Sequence, residues 1–110
     1  MFSVVYIICR DMEEAGRIAR ALVEERLVAC ANCDVVQSVY RWGGRIEQEN
    51  EVSVLCKTTE ERVPDVIRRV KEMHSYELPC ITWWRLEGGY QPYLDWVREE
   101  TLRGHEAKGR

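Results

Sequence analysis

The chain has no apolar run approaching the roughly 20 residues of a helical membrane span, so no membrane partner is expected. Its N-terminus also lacks the basic start and small-residue cleavage site of a secretory signal, which makes the cytoplasm the expected compartment. Neither sign of charge dominates: 16 basic and 19 acidic residues are interspersed for a net charge of -3, leaving no electrostatic footprint for nucleic acid. The five cysteines, Cys9, Cys30, Cys33, Cys56 and Cys80, are an odd number set mostly in apolar, strand-like surroundings. They read as reduced thiols used as small hydrophobes, and no disulfide framework is expected. Absent as well are G-x-G-x-x-G, G-x-x-x-x-G-K-[ST] and G-x-S-x-G, and the carboxylates form no obvious acid/base pair. Nothing points to an enzyme or an organic cofactor. There is no internal repeat and no low-complexity segment.

What remains is ordinary globular material, 110 residues of which 45% are hydrophobic and 32% charged. One domain is expected over residues 1–102, followed by a frayed tail, 103–110, in which His105 is inert. The β-branched and aromatic run 2–9 predicts a central strand. Asp11 then offers an N-cap oxygen, and Glu14 three residues later completes an acidic capping box. The helix that follows carries a buried stripe of Ala15, Ile18, Ala19, Leu22, Val23 and Leu27.

From Val28 the pattern becomes extended and runs to Trp42, with a bend expected near residues 32–34. Gly43-Gly44 is a two-residue turn tolerant of positive φ, and a third strand follows over 45–58. These 14 residues span about 46 Å at roughly 3.3 Å each, against about 25 Å for a helix of some 17 residues. The hairpin must therefore overhang its helices. An overhang carrying Tyr40 and Trp42 exposes backbone and aromatic surface, so oligomerisation is expected.

A second helix is expected from Pro64 after a short turn, with Val63, Val66, Ile67, Val70, Met73 and His74 on its apolar side. A fourth strand is read over 78–86, and a last short helix starts at Pro92. The order β-α-β-β-α-β with a trailing helix is the α+β, ferredoxin-like plan, in which strands one and four lie together or next to the centre.

Chemistry concentrates in residues 74–80, His-Ser-Tyr-Glu-Leu-Pro-Cys, at the passage from helix to strand. His74 and Cys80 are candidate metal ligands, and imidazole with thiolate suits copper or zinc better than magnesium or calcium. Either residue also has a plain structural reading, as a helix-capping histidine or a small apolar strand residue. Cys30-Ala31-Asn32-Cys33 has redox spacing, but it follows a helix and enters a strand, so the dipole that activates such thiols is missing. Residues three apart in an unbroken strand also point to opposite faces.

Five segments fall together in the order and spacing of a known family: 25–32 (Glu-Arg-Leu-Val-Ala-Cys-Ala-Asn), 38–47 (Ser-Val-Tyr-Arg-Trp-Gly-Gly-Arg-Ile-Glu), 57–59 (Lys-Thr-Thr), 74–79 (His-Ser-Tyr-Glu-Leu-Pro) and 93–96 (Tyr-Leu-Asp-Trp). The chain resembles the CutA family over nearly its whole length. That resemblance implies a homotrimer assembled through the long hairpin, similar in architecture to the PII signalling proteins, and binding of divalent or heavy-metal ions, copper above all. Carried over to this sequence, the motif cysteine is Cys30, the motif histidine His74, and the motif tyrosine and acid Tyr76 and Glu77. The metal candidates are thus His74, Cys80 and Cys30. A second reading places a small anionic metabolite in intersubunit clefts lined by Trp42, Lys57, His74, Tyr76 and Glu77. Two positions depart from the family pattern. Ser75 replaces a common proline and is expected to loosen the turn, and Cys80 replaces a common carboxylate and softens the site toward Cu(I) or Zn(II).

Overall fold

Alternation along the first strand decides where the core sits. In β1 (Phe2–Cys9) the residues Val5, Ile7 and Cys9 point to one face and are fully buried. On the same face lie Val52, Val54 and Cys56 of β3 (Arg45–Thr59), which pairs antiparallel with β1. Two helices cover this face, α1 (Met12–Glu24) through Ala15, Ile18 and Leu22, and α2 (Val63–Met73) through Val63, Val66 and Val70. With β2 (Cys30–Trp42), β4 (Ile81–Arg85) and α3 (Gln91–Glu100), the strands form one antiparallel sheet in the order β2-β3-β1-β4. This is the expected ferredoxin-like α+β plan, with β1 central and β4 beside it. The computed structural model describes residues 1–102; the expected tail, His105 included, lies outside the described residues.

On the opposite face a helix covers one end. Here α3 buries Leu94 and Val97, its Tyr93 ring lies 6.0 Å from Lys57 Nζ, and Arg98 sits 4.8 Å over the Phe2 ring. Towards the other end β1 stops at Cys9, opposite Val52, whereas β2 and β3 continue as a two-stranded arm over residues 36–42 and 45–51. At about 3.3 Å per residue the arm projects roughly 23 Å. It gives the molecule a long axis of 51 Å against 27 and 21 Å. Val39, Trp42 and Ile46 on the arm are all more than half exposed.

Local differences from expectation have physical causes. The β2–β3 ladder runs residue for residue from Cys30↔Lys57 to Trp42↔Arg45, so no bulge marks the bend expected near residues 32–34. Val23 is 41% exposed, because it lies a 100° step beyond Leu22 and off the buried stripe. The fourth strand is shorter than 78–86: Leu78 is exposed and Pro79 has no N–H to give. The ladder still extends slightly, since Ile8 N–H donates to the Cys80 carbonyl at 3.2 Å and Leu86 N–H to the Phe2 carbonyl at 2.9 Å. A 3-10 turn, Glu60–Arg62, precedes α2 and places Pro64 in its first turn, as proline requires.

The turn at the arm tip depends on its glycines, Gly43 at φ 59° and Gly44 at φ 81°, with open space around both. Any substitution there is limited by the backbone and not by crowding. Gly43→Asn, in the residue pair favoured for such turns, is expected to be nearly neutral. Gly44→Val should cost about 1–2 kcal/mol in urea denaturation; equal stability of the two variants would contradict this.

Candidate metal site and adjoining cleft

The segment that follows α2 is held from below by a buried carboxylate. Asp11 caps α1 by accepting the Glu14 N–H at 2.9 Å, as a capping box requires. The reciprocal bond is shifted. Glu14 Oε1 accepts the N–H of Arg10 at 2.9 Å, and Oε2 reaches across the fold to the N–H of Ser75 at 2.7 Å. Burial drives this carboxyl up, but the N–H groups of Arg10 and Ser75 and the Ser75 hydroxyl hold it net below its ordinary range. Ser75 was expected to loosen the turn. Its N–H, which a proline would lack, ties the turn to Glu14.

His74 ends α2 with its N–H on the Val70 carbonyl and its side chain fully buried. Its Nε2 lies 2.7 Å from the Ile8 carbonyl, and its Nδ1 accepts the Tyr76 N–H at 3.1 Å. A carbonyl only accepts and an amide N–H only donates, so the proton sits on Nε2 and the lone pair on Nδ1. Nδ1 also lies 4.0 Å from Glu14 Oε2. Cys9 closes the group: ligand atoms of Cys9, Glu14 and His74 all lie within 4.8 Å of one another. Burial, with Glu14 nearby, pushes the Cys9 thiol up to about 12.

Above this cluster the chain opens into a cleft of about 780 Å³ between the base of the arm and residues 75–80. Tyr76 links the two levels. Its ring lies 4.9 Å from the His74 ring, and its hydroxyl donates to Glu51 Oε2 at 2.6 Å, so burial and Glu51 raise the phenol. Tyr40 donates in the same way to Glu49, which pushes its phenol up to about 12. Trp42, Glu77 and Cys80 complete the relevant lining. The Cys80 thiol is raised by burial and by Glu51.

The residues singled out in the sequence are therefore divided. Trp42, Tyr76, Glu77 and Cys80 meet in one cleft, while His74 lies beneath it. Lys57 and Cys30 pair with each other across the β2–β3 ladder, near α3, with Cys30 Sγ 3.1 Å from the Tyr93 hydroxyl. Among the described residues, neither Cys80 nor Cys30 joins a group of three converging ligands. Cys33 sits on the opposite face of β2 from Cys30 and packs against the core, so the C-x-x-C pair is not poised for exchange.

Sequence reasoning missed Cys9, read only as strand, and Glu14, read only as a cap. A signal was present, because Glu14, Ile18 and Leu22 recur every four residues and so share the buried face. Glu49 and Glu51 were missed because the direction of a strand residue beyond the helices has no apolar pattern to reveal it.

Together these features define a small ferredoxin-like α+β protein with a projecting hairpin arm and a buried sulfur, oxygen and nitrogen donor set. The family model for the CutA1 divalent ion tolerance protein matches residues 3–100, and the chain belongs to that family. The divalent-cation tolerance protein CutA of Archaeoglobus fulgidus is 40% identical over 90% of this chain and 97% of its own length. Its counterpart in Thermus thermophilus is 43% identical over 92% of this chain and 99% of its own. A solved structure of the periplasmic divalent cation tolerance protein CutA from A. fulgidus superposes with a TM-score of 0.91, covering 93% of this chain and 100% of the other. That of the T. thermophilus protein gives 0.89, covering 93% and 100%. Among the described residues, no helix is long and apolar enough to cross a membrane.

Removing the Glu14 carboxylate by Glu14→Ala strands two N–H groups and should cost about 1–3 kcal/mol for each in chemical denaturation. Because its folded pKa lies below the unfolded value of about 4.3, its stabilisation is present above that value and is lost as pH falls through the lower, folded one. Glu14→Gln should flatten that acid limb of the stability profile; a profile matching wild type would show that Glu14 does not contribute to it.

Proposed function

We propose that this protein binds soft or borderline divalent metal ions, copper or zinc, in a cation-tolerance role, and that it works as a cytoplasmic homotrimer. The convergence of Cys9, Glu14 and His74 within 4.8 Å carries the metal reading. Thiolate, carboxylate and imidazole form a mixed donor set suited to zinc or copper, and three protein ligands leave a coordination position open. His74 supplies the nitrogen through Nδ1, since its Nε2–H already rests on the Ile8 carbonyl, the arrangement that orients metal-bound histidines elsewhere. A metal held there would take the Nδ1 lone pair in place of the Tyr76 N–H and would require the Cys9 thiol to release its proton to solvent. Cys80, at the cleft, and Cys30, near α3, are the further thiols expected to be tested as ligands. Five free cysteines support a reducing compartment, although the A. fulgidus relative is described as periplasmic.

The arm supports the trimer. Among the described residues no strand pairs with the outer edges of β2 and β4, and the arm exposes Val39, Trp42 and Ile46. Head-to-tail contact of two different surfaces closes into a ring when the rotation fits.

Zinc titration by calorimetry on wild type, Cys9→Ala, His74→Ala, Cys80→Ala and Cys30→Ala tests the site. At least tenfold weaker binding is expected for the first two variants, with folding verified by circular dichroism. Unchanged affinity in both would remove the buried cluster from the account, and a loss confined to Cys80→Ala would move the site into the cleft. Light scattering should give a mass three times the 13.0 kDa chain, and deletion of residues 41–46 should yield monomers or aggregates. A soluble trimer after that deletion would refute assembly through the arm.

A further inference from the structure

Solvent does not reach the buried donor set: Cys9 and the side chain of His74 are 0% exposed and Glu14 is 1% exposed. An ion arrives there only when part of the cover moves. Local opening falls to the segments with the fewest ladder and helix bonds. α1 and β1 are held by such bonds along their length, whereas the stretch between α2 and β4 is neither helix nor strand. That stretch is the part able to open.

Tyr76 holds it down at two points. Its N–H donates to His74 Nδ1 at 3.1 Å, and its hydroxyl donates to Glu51 Oε2 at 2.6 Å, on β3 just beyond the last residue paired with β1. Between the two bonds its ring lies 4.9 Å from the His74 ring. The first bond excludes a metal ion. With Nε2–H on the Ile8 carbonyl, the imidazole has a single lone pair left, on Nδ1, and it cannot serve the Tyr76 N–H and an ion together. Glu14 is under no such restriction, because each carboxylate oxygen keeps a further lone pair beside its bond to Arg10 or Ser75. The conflict therefore falls on Tyr76 alone.

We infer that Tyr76 is an autoinhibitory strap, whose N–H occupies the ligand nitrogen of His74 and whose hydroxyl ties release of that N–H to Glu51 at the base of the arm. The inference rests on the metal reading above and adds its regulation. The coupling is reciprocal: whatever pins Tyr76 to Glu51 weakens ion binding, and an ion at His74 weakens the hold of Tyr76 on the arm by the same factor. Since the arm is where copies of the chain are proposed to meet, ion occupancy and assembly become linked.

Amide exchange of Tyr76, followed by NMR on the isotope-labelled full chain in its native assembly, tests the strap. Saturating zinc is expected to speed exchange of the Tyr76 N–H at least tenfold, with the amides of β1 unchanged as the reference. Tyr76→Phe keeps the ring and the N–H but drops the tie to Glu51, and should bind zinc at least threefold tighter by calorimetry. A residue with a merely structural role would leave zinc affinity equal or lower. Zinc binding that His74→Ala abolishes, with the Tyr76 amide still fully protected, would overturn the strap and leave the metal site standing. Equal or weaker zinc binding by a folded Tyr76→Phe would overturn it as well; if that variant does not fold, exchange in the wild type decides. Zinc binding indifferent to His74→Ala, or none at all, would overturn both readings together.

Discussion

The carboxylate of Glu14 is the contact on which the site's architecture depends. From the first turn of α1, which Asp11 caps, this one side chain holds the end of β1 through the Arg10 N–H and fixes the segment after α2 through the Ser75 N–H. A buried anion is tolerated only where donors replace its lost hydration, and here they come from two distant stretches of backbone, at Arg10 and at Ser75. The position is also favoured by the positive end of the α1 dipole. His74 and Tyr76 inherit their placement from this anchor, and through Tyr76 it extends to Glu51 at the base of the arm.

The two ends of the molecule follow opposite rules. At the α3 end the sheet is covered on both faces, and Val4, Val5, Cys56, Leu94 and Val97 are withdrawn from solvent. At the arm end neither helix reaches, so β2 and β3 keep their backbone bonds but leave their side chains bare. The cleft lies at the boundary between these regimes, where β1 has stopped and residues 75–80 fill part of the space beside β3. That position explains its mixed character. It is enclosed enough to bury Glu51 yet open enough to keep the Trp42 ring half in water.

The order of elements, the central β1 and the arm were legible because each rests on a local pattern: β-branched runs, apolar residues at helical spacing, and paired glycines at a turn. Residues 74–80 were legible as a chemical centre, but their partners were not. The contact between Glu14 and Ser75 joins positions 61 residues apart, and that between Tyr76 and Glu51 joins positions 25 apart. No periodicity records such distances. The same limit grouped Lys57 with Trp42, which share the β2–β3 hairpin but lie toward opposite ends of its ladder. Ser75 shows the converse error, where a substitution judged by backbone stiffness alone concealed a donor that the fold uses.

The unbroken β2–β3 ladder also bears on the order in which the chain assembles. From Gly43-Gly44 outward, each new pair encloses only two more residues than the last, so loop-closure entropy rises in small steps. β1 and β4, by contrast, must find partners from remote parts of the chain. The β2–β3 hairpin is thus the part of the sheet able to zip early, from the arm tip inward on the microsecond scale of hairpins, after which its 52–59 segment offers β1 a ready edge. What looks like an appendage in the finished fold is the end from which its longest ladder can grow at the lowest entropic cost.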